Sequence, residues 1–147
     1  MKGRNRMDIG LVSCTKKKQE QASIPAELYM ESLYFRKMRK FCEENHGRWY
    51  ILSAKYGVLE PYGEVIEAYN ETLRDSTVKE KREWAKSVFE QLQAMESLEK
   101  DTTLFIHAGK DYYGELLPLL EQTDAEVRIP TEGLGLGEKM AWYNDRI

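Results

Sequence analysis

Four stretches of this 147-residue chain hold side chains whose types and spacing could do chemistry. The first is Ser13, Cys14 and Thr15, followed by Lys16, Lys17 and Lys18. Hydroxyls and ammonium groups so arranged can hold a phosphate or a carboxylate, although a solvated lysine run reads the same way. Cys14 is a nucleophile only beside a base that depresses its pKa; a small buried cysteine at a strand end is the commoner arrangement. The second stretch is Ser53-Ala54-Lys55-Tyr56-Gly57, continuing to Tyr69 and Asn70. Lys55 can meet an anionic ligand, or pair with Glu60 or Glu64. Tyr56, Tyr62 and Tyr69 can stack on a base, or pack a long loop against the domain.

The third stretch is His107-Ala108-Gly109-Lys110-Asp111-Tyr112. Gly109 permits close backbone approach, and a helix starting there presents free N–H groups to an anion. His107 ends an apolar run and is expected at the rim of a sheet. There it is either an acid–base group or a hydrogen-bonded structural histidine. The fourth stretch, Gly133-Leu134-Gly135-Leu136-Gly137, lacks the spacing of a dinucleotide fingerprint and follows the last strand, so it is not read as a nicotinamide site. Its glycines place backbone close to a ligand or a helix. Two cysteines and two histidines at scattered spacing make no recognisable zinc site. No metal or cofactor is expected, and a disulfide between Cys14 and Cys42 is not expected in a reducing compartment.

These stretches follow apolar runs that read as strands. Asp8 to Ser13, Arg48 to Ala54 and Thr102 to His107 have no helical period and are short enough for buried strands. Ala125 to Ile129 is a fourth, shorter one. Pro25 opens a helix that His46-Gly47 ends, with Met30, Tyr34, Met38 and Phe41 on one face. Lys55 to Asp75 reads as a long irregular segment. Ser76 or Thr77 can cap the next helix, with Glu80 placed for a capping box and Ala85, Val88, Leu92 and Met95 as its core stripe. A helix follows from Asp111 to Leu120, ended or bent by Pro118. Glu138 to Asn144 forms a last turn or two.

Strands alternating with crossover helices imply one α/β domain over residues 1–147 with a four-stranded, mainly parallel sheet. Ligands of open parallel sheets bind beyond the carboxyl ends of the strands, which selects these same four stretches. The net charge of −3 excludes a global basic field. No apolar run approaches the roughly 20 residues that span a bilayer, and no signal peptide is evident, so a cytoplasmic protein without membrane contact is expected.

Leu11-Val12-Ser13-Cys14 with Lys16 and Lys18, Ala26-Glu27-Leu28-Tyr29 with Ser32 and Leu33, and Ile51-Leu52-Ser53-Ala54-Lys55-Tyr56-Gly57 form a combination. Glu64, Ile66, Tyr69, Thr72, Leu73 and Trp84 continue it. The whole resembles a bacterial and phage domain family of unknown function. It is distantly similar to the YaaA peroxide-stress proteins, and to the domain of archaeosine synthases that resembles uracil-DNA glycosylase. That resemblance implies a three-layer α/β/α sandwich like uracil-DNA glycosylases, a strand order of 2-1-3-4, and association with nucleic acid or modified nucleobases. Family members often show Pro-Tyr-Asp where this chain has Ala68-Tyr69-Asn70, which removes an acid that could activate water.

Two functions follow as expectations. One is a glycosylase-like enzyme acting on a nucleobase or nucleoside, free or in nucleic acid. A base would stack on Tyr56 or Tyr69, and Ser13, Lys16 and Lys55 would contact phosphate or sugar. His107 would stabilise the departing base, with Asp111 or Glu64 orienting water. Cys14, Lys18, Ser53, Asn70 and Gly109 complete the expected ligand-binding set. The other is a non-catalytic nucleotide or nucleic-acid binding module in a stress or phage-related pathway, using the same pocket.

Overall fold

The computed structural model describes residues 7–15 and 18–147. Strand β1 (Met7–Ser13) lies at the centre of the sheet, between β2 (Arg48–Ser53) and β4 (Thr102–His107), both parallel to it. Strand β3 (Gly57–Leu59) pairs antiparallel with β2, and β5 (Glu126–Arg128) pairs parallel with β4. The order is β3-β2-β1-β4-β5. The sheet is therefore five-stranded and mixed, not four-stranded. The four parallel strands do stand in the expected relative order.

The added strand falls within the segment read as irregular. Three apolar residues are too short a run to show a period, and only pairing with β2 makes them a strand. The turn between the two strands is built locally. Ser53 Oγ accepts from the backbone N–H of Lys55 at 3.2 Å and of Tyr56 at 3.0 Å. Gly57 then takes φ +76°, open to glycine, and a Cβ there would lie 2.1 Å from Gln91 Oε1. That same oxygen accepts from Val58 N–H at 3.0 Å and ties β3 to a helix.

Helices cover both faces. Alternation along the strands turns Ile9, Leu11, Tyr50, Leu52, Leu104 and Ile106 toward α3 (Val78–Met95) and α5 (Leu117–Leu120). Val12, Trp49 and Ile51 face α2 (Leu33–Asn45) and α6 (Leu136–Asn144) on the other side. Burying strands on both faces is why they read as continuous apolar runs rather than alternating ones.

The first helix region is split. α1 (Pro25–Leu28) ends at Tyr29, and α2 restarts with Ser32 as its cap, whose Oγ accepts from Phe35 N–H at 3.1 Å. The buried stripe of α2 is Phe35, Met38 and Cys42, so Met30 lies outside that helix. The region after β4 is likewise split, into α4 (Lys110–Tyr113) and α5. Pro118 stands in the first turn of α5, where its missing N–H costs nothing, instead of ending a longer helix.

Helix α3 forms as its local sequence dictates. Thr77 Oγ1 accepts from Glu80 N–H at 3.1 Å, and Thr77 N–H donates to Glu80 Oε1 at 2.8 Å. This reciprocal box is exposed, so Thr77→Ala should cost about 1 kcal/mol, read as a shift in the urea midpoint at unchanged slope. Among the described residues, no helix is long and apolar enough to cross a membrane.

Candidate functional site

The carboxyl ends of β1 and β2 bring together a thiol, a lysine and several phenols. Cys14 continues β1 by one residue, its N–H bonded to Leu52 O at 2.9 Å. Alternation turns its side chain to the α2 face, away from that of Ser13, which is buried on the Leu11 side. Cys14 Sγ shares a hydrogen bond of 3.3 Å with the Tyr112 hydroxyl, presented from α4.

Behind this pair runs a line of hydroxyls. Ser53 Oγ donates to the Tyr69 hydroxyl at 2.8 Å, and Tyr69 is hydrogen-bonded in turn to the Tyr29 hydroxyl. Tyr56 stands edge-on to Tyr69 with ring centroids 5.6 Å apart. Trp84 Nε1 donates to Ser53 O at 2.9 Å, and its ring packs edge-on against Tyr112 at 5.5 Å. The long segment after β3 thus returns to the sheet edge through Tyr69 and is anchored there by polar bonds.

Lys18 lies over this group, its Nζ 4.5 Å from the Tyr69 ring centroid and 5.9 Å from that of Tyr29. Lys55 stands near its rim, 5.3 Å above the Tyr56 ring and 3.8 Å from Glu71 Oε2. Burial lowers the pKa of Lys18 from its ordinary value, opposed by Cys14 and Glu71 nearby. Burial raises the phenols of Tyr29, Tyr69 and Tyr112 well above theirs. At neutral pH these phenols are therefore uncharged and serve as hydrogen-bonding groups, not bases.

The expected catalytic set is not assembled around this group. His107 is fully buried rather than at the rim, on the α2/α6 side of β4. Its Nε2 is 2.9 Å from His46 Nε2 and its Nδ1 is 2.6 Å from the Tyr143 hydroxyl. Burial, with the His46 charge adding to it, pushes its pKa down to about 3, so it stands as a neutral imidazole. Asp111 is on the surface, paired with Lys81 Nζ of α3 at 2.9 Å. Glu64 and Asn70 are exposed on the segment after β3. Gly109 caps α4 in extended backbone, and nothing lies within 4 Å of a Cβ placed on it. Lys16 lies outside the described residues.

Of the expected binding residues, the structure joins Cys14, Lys18, Ser53, Tyr56 and Tyr69, with Lys55 beside them. Tyr29, Trp84 and Tyr112 complete the group and were not among the expected site residues. Tyr29 and Trp84 do lie within the motif pattern that carries the resemblance, and Tyr112 closes the third candidate stretch. Position in those motifs was the available signal.

Residues 9–145 match the family model described as "Family of unknown function (DUF6884)". No curated protein and no solved structure matches the chain.

Proposed function

This chain belongs to the DUF6884 family, and we propose that it is a binding module for a nucleobase-containing ligand, seated at the Cys14–Lys18–Tyr69 group. The observation that carries this reading is a lysine ammonium over a tyrosine ring that is itself hydrogen-bonded to Ser53 and Tyr29. This suits a base joined to a phosphate: the ammonium pairs with the phosphate, and the half-buried Tyr56 ring beside Tyr69 offers a face for the base. The neutral phenols and the Cys14 thiol offer donors and acceptors to the edge of a base. The likeness of the motifs to YaaA proteins and to glycosylase-like domains supports the same ligand class, and a uracil-DNA-glycosylase-like sandwich is part of this proposal.

Binding is favoured over glycosidic cleavage by the dispersal of the expected acid and base. His107 is buried elsewhere, Asp111 is paired with Lys81, and position 70 is an asparagine where the resemblance leads one to expect an acid.

Calorimetric titration with nucleosides and nucleoside monophosphates tests the reading. Lys18→Ala should weaken monophosphate binding about tenfold, or about 1.4 kcal/mol, and leave nucleoside binding unchanged. Absence of binding for every monophosphate, or an equal loss for nucleoside and nucleotide in Lys18→Ala, overturns it. Free base released from a nucleoside or an oligonucleotide by the wild-type protein would replace the binding module with the glycosylase-like enzyme.

A further inference from the structure

On the same face of the sheet, but under α2 and α6, the fold collects both histidines of the chain and one of its two cysteines. Cys42 Sγ and a nitrogen from each of His46 and His107 all lie within 4.8 Å of one another. We propose that Cys42, His46 and His107 form a binding site for a zinc-class transition metal ion. This site is separate from the nucleobase site and does not depend on it.

Three separate parts of the chain build it. Cys42 stands on the last turn of α2, and His46 is the C-cap of that helix, its N–H bonded to Cys42 O at 2.9 Å. The spacing of four residues puts both side chains on one side of the helix end. His107 comes from the end of β4, 61 residues further on. Beneath them the central strand carries Gly10. A Cβ there would lie 2.8 Å from Cys42 Sγ and 2.8 Å from His46 Cδ2. Only glycine lets the thiol and the imidazole reach the sheet together.

The donor set and its spacing suit the ion. A thiolate and two imidazoles are ligands of zinc, cobalt and related ions. Two nitrogens on tetrahedral zinc stand about 3.3 Å apart for bonds of about 2.0 Å. The Nε2 atoms of His46 and His107 are 2.9 Å apart, so a small opening admits the ion. Tyr143, bonded to His107 Nδ1 at 2.6 Å, is the outer partner that fixes the imidazole and leaves Nε2 toward the cluster.

Binding balances simply. The ion forms bonds to Sγ and to two ring nitrogens, and Cys42 gives up its thiol proton to solvent. Each imidazole keeps one proton, on the nitrogen that does not bind the ion. Three protein ligands leave a fourth position for water. A cavity of about 570 Å³ is lined by Phe41, Phe105, Trp142 and Arg128 among others, and the first two of these rings pack on His46 at 5.5 and 4.6 Å.

Cobalt(II) is the probe, because a thiolate ligand and a tetrahedral site each give it a distinct absorption. Chelator-treated, tag-free protein should bind one Co²⁺ per chain with a thiolate-to-cobalt band, and Zn²⁺ should bleach that band. Cys42→Ala should abolish the band, and His46→Gln should abolish or severely weaken binding. Tyr143→Phe should weaken it about tenfold. Cys14→Ser should leave the spectrum unchanged. Because Cys42 and His107 are both fully buried, circular dichroism first establishes that each variant is folded, and the half-buried His46 supplies the variant least tied to the core. No cobalt spectrum in folded wild-type protein overturns the proposal, as does a band that survives Cys42→Ala or disappears in Cys14→Ser.

Discussion

Raising the pH to between about 11 and 12 should unfold this protein cooperatively, with tyrosinate absorbance and loss of far-ultraviolet ellipticity appearing together. The cause is the burial of Tyr29, Tyr50 and Tyr69, each of which is 6% exposed or less. Burial raises all three phenols above their ordinary value of 10.0, Tyr50 to about 12 and the others further. Tyr50 is held protonated also by Glu96, to whose carboxylate its hydroxyl donates at 2.5 Å. A folded-state pKa raised above the unfolded value contributes stability that is complete below pH 10. That stability is lost as the pH climbs through the folded values, because the unfolded chain ionises first. At pH 11 each withheld ionisation costs about 1.4 kcal/mol, and the three together cost about 4 kcal/mol. By pH 12 the cost approaches twice that, which reaches into a typical net stability of about 5–15 kcal/mol and brings the transition between about pH 11 and pH 12. Gradual titration of every phenol near pH 10 with the fold intact would show that these hydroxyls are open to solvent.

Leu11→Ala should be the other severe change. Leu11 is fully buried on the central strand and stands in register with Tyr50 on one neighbour and Ile106 on the other. All three side chains face α3 and α5. Removing the isobutyl group withdraws apolar surface from the middle of this core and leaves a cavity that strands fixed on both sides cannot collapse. The expected loss is about 3 kcal/mol, which lowers Tm by roughly 10 °C for a domain of this size. Thermal unfolding followed by circular dichroism measures it. A shift of under about 3 °C would mean that this face of the sheet is loosely packed.

Much of the candidate site was legible because strand ends are legible. The third strand's bounds, Thr102 to His107, and the capped start of α3 at Thr77 follow from short-range signals: an apolar run without helical period, and a hydroxyl three residues before a glutamate. The rule that ligands meet the carboxyl ends of parallel strands then pointed to Cys14, Ser53 and their neighbours, which the fold does join. The break between α1 and α2 was less legible. The apolar spacing through Met30 and Tyr34 continues across it, and only the Ser32 cap marks the restart.

Residue order by itself determined the four parallel strands, the α/β class and the stretches at their ends, because those depend on neighbours within a few positions. Only the tertiary structure decided which face each strand-end side chain took. Strand side chains alternate, so a shift of one position sends a group to the opposite layer. His107 shares the α2 layer with Cys14, but it pairs with Val12, two residues short of the thiol, and meets His46 and Cys42 instead. The Cys42–His46–His107 cluster needs a partner far away in the chain, and no local pattern records such a partner; β3 is set by its pairing with the neighbouring β2, in a run too short to show a period.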